Sequence, residues 1–287
     1  MVRFKDIRLI ALDLDDTTLC SDGNLADKTR EAIETAINAG VEVVIASGRA
    51  FNSLPRAVAD ICGIRYAITS NGAAVAKNPG GERIVSLALH PDTVQDVLEL
   101  FGNELLECFI DGQAYCDARY MRDPLRFGCS PAYVEYVKTT RLPVDDMPGF
   151  MRENAQRLDS VDVLCASSGH RAELWERALS LNNAYITSSS PRLVEIADAE
   201  AGKGASLRRL CELLSVPAQC VAAFGNGDND ADMLSFAGLG VAMENATAAC
   251  IAAADVVCAS NDEHGVAQMI YKILEIRKNS DTRSKTR

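Results

Sequence analysis

The chain has 287 residues, 48% of them hydrophobic and 24% charged, which is ample for a buried core and suits one large domain or two linked ones. Its 40 Asp and Glu outnumber 29 Lys and Arg, giving a net charge of −11, so no basic excess exists to neutralise a nucleic-acid backbone. An acidic protein that handles anions needs a local source of positive charge, usually a metal.

The N-terminal MVRFKDIRLIALDLDDT has neither the apolar run nor the small-residue cleavage pattern of a secretory leader. No stretch supplies the roughly 18 apolar residues that a membrane span requires. The 10 cysteines form no CxxC pair, several sit in apolar runs such as ATAACIAAA, and the 3 histidines form no HExxH. Packed, reduced thiols in a cytoplasmic protein are the expectation, not a zinc site or a disulfide framework.

In chain order, Arg8–Leu14 (RLIALDL) reads as a buried strand that ends in acids, and Asp27–Ala39 as a helix stopped by Gly40. Val41–Ala46 is a second buried strand, Ser53–Ile61 an amphipathic stretch, and Tyr66–Thr69 a strand closed by the Ser70-Asn71-Gly72 turn. Strands alternating with helices predict an α/β fold with a doubly wound parallel sheet. The same grammar returns late, with a helix at Ser206–Leu214, a strand at Cys220–Phe224, and further alternation to a final helix at Val266–Arg277. The polar tail Lys278–Arg287 is expected to be disordered. Between these halves the texture changes: Ser86–Thr187 holds the sole Trp175 and a strand-rich segment from Phe109 to Tyr136. The expected division is core over 1–85, an inserted domain over 86–187 and core again over 188–287.

Four clusters carry chemistry. Asp13-Leu14-Asp15-Asp16-Thr17 stands at a strand's carboxyl end, where open α/β sheets bind ligands. Two carboxylates there suit covalent phosphoryl transfer, one as nucleophile and one as proton donor and acceptor, and they also suit a hard cation such as Mg²⁺. Ser47-Gly48-Arg49 follows the second strand and offers a hydroxyl and backbone N–H groups to an anion. Gly202-Lys203-Gly204 can bring an ammonium close to a phosphate. It is no P-loop, because Ala197 and Gly204 stand where Gly and Ser or Thr are needed. Gly225-Asn226-Gly227-Asp228-Asn229-Asp230 is a dense oxygen-donor loop after an apolar strand, and matches neither GxGxxG nor an EF-hand.

Taken in order, DxDxT, strand–Ser-Gly-Arg, Gly-Lys-Gly and Gly-Asn-x-x-Asn-Asp resemble the haloacid dehalogenase superfamily, in its Cof-type sugar-phosphatase-like branch. LIALDLDDT, VVIASGR, TSNGA, VEI…GKGASL and AFGNGDNDADML…GVAMENA carry that resemblance over nearly the whole chain. It implies a Rossmann-like core with an inserted α/β cap, and a phosphatase of small phosphate esters. It further implies Asp13 as nucleophile, Asp15 as general acid and base, and Ser47 and Lys203 as groups on the transferring phosphoryl, with Asn229 touching bound phosphate. Mg²⁺ would be held by Asp13, Asp15 through its backbone carbonyl, Asn226 and Asp230. Asn226 departs from the family, which commonly has Asp there. One charge lost against Mg²⁺ at about 4 Å and an effective dielectric near 20 forfeits about 8 kcal/mol of gross attraction, most of it offset by solvation. A phosphomutase on the same scaffold and a non-catalytic phosphate-binding regulator are the alternatives. Asp111, Tyr115, Arg119 and Arg126 are the residues of the insertion weighed for contact with the leaving group; the oligomeric state is not fixed.

Overall fold

The computed structural model describes residues 6–284. Strands β1 (Leu9–Leu12), β2 (Glu42–Ala46) and β3 (Tyr66–Thr69) run parallel, and β4 (Ala74–Lys77) and β5 (Arg83–Ser86) extend them antiparallel. The chain then builds a second sheet from β6 (Leu105–Ile110), β7 (Gln113–Asp117), β8 (Arg141–Val144), β9 (Leu158–Leu164), β10 (Ala184–Thr187) and β11 (Leu193–Asp198). It returns to the first sheet with β12 (Val221–Gly225), β13 (Leu239–Ala242) and β14 (Val256–Val257). The first sheet has the order β14-β13-β12-β1-β2-β3-β4-β5, the second β10-β11-β9-β6-β7-β8.

The alternation of side chains along β1, β2 and β12 builds two cores from one sheet. Ile10, Val43 and Phe224 face the helices Asp27–Asn38 and Gly265–Ser284, while Leu9, Val44 and Ala223 face the helices Lys203–Leu214 and Ala231–Phe236. Strands buried on both faces explain the unbroken apolar runs LIAL and EVVIA, and the doubly wound α/β fold is as expected. In the order β12-β1-β2 the chain leaves β1 in opposite directions, which opens a crevice at the carboxyl ends of these strands.

Three expectations differ from the structure. The second sheet runs beyond residue 187, because β11 pairs antiparallel with both β9 and β10. The stretch to Tyr136 is strand only as far as Asp117, whose carboxylate accepts the Arg119 N–H at 2.8 Å and starts the helix Ala118–Arg122. A helix over Val134–Thr140 follows. The last helix continues to Ser284, since extending a helix already anchored by Val266, Ile270 and Ile273 costs little; the remainder of the tail lies outside the described residues.

The crevice depends on one close approach. Gly72 has φ +89°, and a Cβ there would lie 2.1 Å from the carbonyl oxygen of Gly202. Overpacking of about 1–3 kcal/mol adds to about 1–2 kcal/mol for a left-handed backbone. Gly72→Ala is therefore expected to lose about 2–5 kcal/mol of stability, read from the midpoint of urea unfolding.

Candidate active site

Asp13 follows β1 directly, and its N–H donates to the Phe224 carbonyl of β12 at 3.0 Å. After it the backbone turns sharply: Asp16 takes φ +54°, and the Thr18 hydroxyl donates to the Asp13 carbonyl at 2.5 Å. This tight loop presents Asp13, Asp15 and Asp16 to one cavity of about 440 Å³, within the usual range of about 300–1,000 Å³ for small-molecule sites.

Beneath Asp13 lies a buried cation. Lys203, 1% exposed, donates from Nζ to Asp13 Oδ1 and to Asp230 Oδ1, each at 2.7 Å. Asp230 is 0% exposed, and its Oδ2 accepts the N–H groups of Asn226 and Gly227, both at 2.9 Å. Both Asp230 oxygens are thus engaged, one by Lys203 and the other by its own loop. Burial raises the Asp13 carboxyl, Asp230 raises it further, and Lys203 pulls it back, which leaves it at about 7. Burial alone would lower the Lys203 ammonium, but Asp13 and Asp230 outweigh it and keep it charged.

Above Asp13, Asp15 is gripped at both oxygens by Arg49, Nε to Oδ2 at 2.9 Å and Nη2 to Oδ1 at 2.6 Å. The guanidinium stacks on Tyr136 with 3.9 Å to the ring centroid, so a residue of the second sheet's half covers the pair. Ser47 is 1% exposed, and its Oγ accepts the Arg49 N–H at 3.1 Å. Gly48 passes so close that a Cβ would meet Asn71 Oδ1 at 3.0 Å. Asn226 Oδ1 accepts the Thr17 hydroxyl at 2.8 Å, and Asn229 Nδ2 donates to Asn71 Oδ1 at 2.9 Å. Asp13, Asp15, Gly48, Arg49, Asn226 and Asn229 line the cavity, with Lys203 and Asp230 set beneath.

The family model for haloacid dehalogenase-like hydrolases matches residues 10–270. The chain belongs to this family. It is 28% identical to phosphatase YwpJ of Bacillus subtilis (strain 168), over 93% of this chain and 100% of that one. It is also 28% identical to the 5-amino-6-(5-phospho-D-ribitylamino)uracil phosphatase YwtE of the same organism, over 93% and 98%. A solved haloacid dehalogenase-like hydrolase from B. subtilis, 27% identical, matches with a TM-score of 0.80 over 92% of this chain and 99% of that one. The protein is an enzyme of the phosphoric monoester hydrolase class.

Hydrolases of this family generally use Mg²⁺, and the donors here are all oxygens of the kind a hard cation takes. Asp13 and Asn226 share the cavity wall, and Asp13, Asp15 and Asp16 together outnumber the Arg49 charge beside them. No three His, Cys, Asp or Glu side chains converge as a metal cluster among the described residues, so backbone and amide oxygens are needed to complete a ligand set.

Asn71, in the TSNGA turn, is the junction of the site's loops. At φ +52° and 1% exposed, it joins four segments. Its N–H donates to the Ser47 carbonyl at 3.3 Å, and its carbonyl accepts the Gly202 N–H at 3.0 Å. Its amide meets Asn229, and donates to Glu195 of β11 at 3.0 Å. A Ser-Asn-Gly turn directly after a buried strand was the available signal, since Asn tolerates the left-handed conformation. Of the four candidates in the insertion none lines the cavity: Asp111 pairs with Arg157, Arg119 with Asp117, Tyr115 packs on Phe150, and Arg126 lies over the ring of Phe127, which itself lines the cavity.

Removing one partner of a buried ion cluster leaves the others uncompensated, so Lys203→Ala is expected to lose about 3–5 kcal/mol in urea unfolding. A carboxyl whose pKa is raised in the folded state holds its proton more tightly there than when unfolded. Ionising it therefore costs stability, so the wild type itself weakens between about pH 4 and about pH 7; without Lys203 the Asp13 carboxyl rises further, and the Lys203→Ala deficit should widen above about pH 7.

Proposed function

We propose that the protein is a cytoplasmic, Mg²⁺-dependent phosphatase of small phosphorylated metabolites, sugar phosphates among them, acting through an aspartyl phosphate on Asp13. The observation that carries this reading is the Lys203 bridge, which fixes one oxygen of a buried carboxylate at the floor of an otherwise acidic cavity. A carboxylate so held is aligned for attack, and the ammonium offsets charge that would repel a phosphate dianion. The free thiols of all ten cysteines fit a reducing compartment. YwtE, which acts on a ribitylaminouracil phosphate, exemplifies the substrate size.

Mg²⁺ held by Asp13, the Asp15 carbonyl and Asn226 would supply further positive charge at the phosphoryl oxygens. Asp13 attacks phosphorus, the bond from phosphorus to the leaving oxygen breaks, and Asp15 gives that oxygen a proton. Asp15 then takes a proton from water, whose oxygen attacks phosphorus and releases phosphate and the Asp13 carboxylate. The Arg49 grip bears on the first step. An arriving phosphate competes with Asp15 for the guanidinium, which frees the Asp15 carboxyl to turn toward the leaving oxygen. Ser47 and Asn229 flank the same place, Ser47 by orienting Arg49 and Asn229 from the opposite loop.

Asp13→Asn and Asp15→Asn should each lower turnover of an aryl phosphate by at least about three orders of magnitude. Phosphate release should stop with a chelator and return with added Mg²⁺. An active Asp13→Asn enzyme would refute the covalent scheme, and full turnover without a divalent cation would refute the metal's part in it.

A further inference from the structure

The side of the second sheet that faces the crevice carries a row of acids. Glu107, Asp162 and Glu195 stand directly opposite one another on β6, β9 and β11, each 3% exposed, and all three line the cavity that holds Asp13. Their neighbours along the strands, Leu106, Cys108, Val161, Val163, Val194 and Ile196, point the other way into an apolar core. The two outer acids are satisfied. Glu107 pairs with Arg141 at 3.2 Å, and Glu195 accepts from Asn71 Nδ2 and Ser189 Oγ, both at 3.0 Å. Asp162, between them, is not: its Oδ1 is buried and has no hydrogen-bond partner among the described residues.

Both features cost stability in the free protein. Like charges directly opposed across strands destabilise a sheet, and a buried polar oxygen without a donor forfeits its hydration. Burial, then Glu195 and Glu107, push the Asp162 carboxyl well above the usual carboxylate range. An arrangement that costs folding and opens on a cavity is accounted for by a ligand that completes it. The phosphoryl end of that ligand belongs at Asp13, so the row meets the other end.

We propose that Glu107, Asp162 and Glu195 read the leaving group of the substrate, selecting one that presents N–H or O–H donors over one that carries a second anionic group. This rests on the phosphatase reading above for which end of the ligand meets the row. Donors from an amine or from hydroxyls satisfy the Asp162 oxygen alike, whereas a carboxylate or second phosphate set there would stand between Glu107 and Glu195.

The test uses the full chain carrying Asp13→Asn, so that binding is measured by calorimetry without turnover. The probes are glucosamine 6-phosphate, glucose 6-phosphate and 6-phosphogluconate, which share a six-carbon skeleton and differ in amine, hydroxyl and carboxylate. The first two should bind at least about 30-fold more tightly than the third, since like-charge juxtaposition is strongly penalised. Either order between those two supports the proposal and names the preferred donor. Adding Asp162→Asn should shrink the gap to within about threefold, with a melting temperature equal to or above that of Asp13→Asn alone. Equal Kd for all three probes, or a preference that survives Asp162→Asn, overturns the proposal. Because the readout is binding, a wild-type chain that released no phosphate would sink the phosphatase reading separately.

Discussion

A single ammonium in a nearly dry place organises this molecule. Lys203 can stay charged at 1% exposure only because Asp13 and Asp230 each meet it at 2.7 Å, and those acids stay buried only because Lys203 meets them. The three come from the end of β1, the start of the helix after β11, and the loop after β12. Their mutual need draws together segments that the sequence keeps far apart. Ion clusters of this kind add little net stability, because taking charges out of water is costly; what they confer is one fixed arrangement in place of many.

The sheet supplies the frame for that cluster. β1 lies between β2 and β12, so Asp13, Ser47 and Asn226 each follow a buried strand and emerge at the same rim. Asp230 is then oriented from both sides, by Lys203 through one oxygen and by the Asn226 and Gly227 N–H groups through the other. Opposite this rim, Tyr136 and Glu195 reach over from the second sheet's half to Arg49 and Asn71. The enclosed space therefore has a floor made of charge pairs and a roof made of acids and aromatic rings.

Much of the first sheet was legible because its strands are buried on both faces, and runs such as LIAL and EVVIA have few other readings. The clusters at their ends were legible for the same reason, since a change from apolar to acidic or glycine-rich marks where a strand meets a loop. Local pattern says nothing of pairing over long separations, and there the reading stopped. It did not place β11 beside β9, nor Asp15 in the grip of Arg49, nor Asp230 under Lys203. The roof was harder still. Glu107 in LLECFI, Asp162 in LDSVDVL and Glu195 in LVEIAD are each an acid inside an apolar strand, which is a usable sign of a purposeful buried group. The exposed polar residues of the insertion are a weaker sign: Arg119 pairs with Asp117 two residues away, and Asp111 with Arg157 and Arg83.

The turn at Asn71 has a consequence for how such an enzyme diversifies. The returning chain passes from β11 to Lys203 through Gly202, whose N–H is fastened to the Asn71 carbonyl, while Ser206 Oγ is fastened to the Gly72 carbonyl at 2.5 Å. The lysine is thus moored to the first sheet before the chain reaches it, and the same Asn71 fastens Glu195 of the roof to that mooring. On the role proposed for the acid row, substitutions at Glu107 or Asp162 retune which molecules are accepted while the nucleophile and its counterion stay in register, whereas a change at Glu195 reaches both.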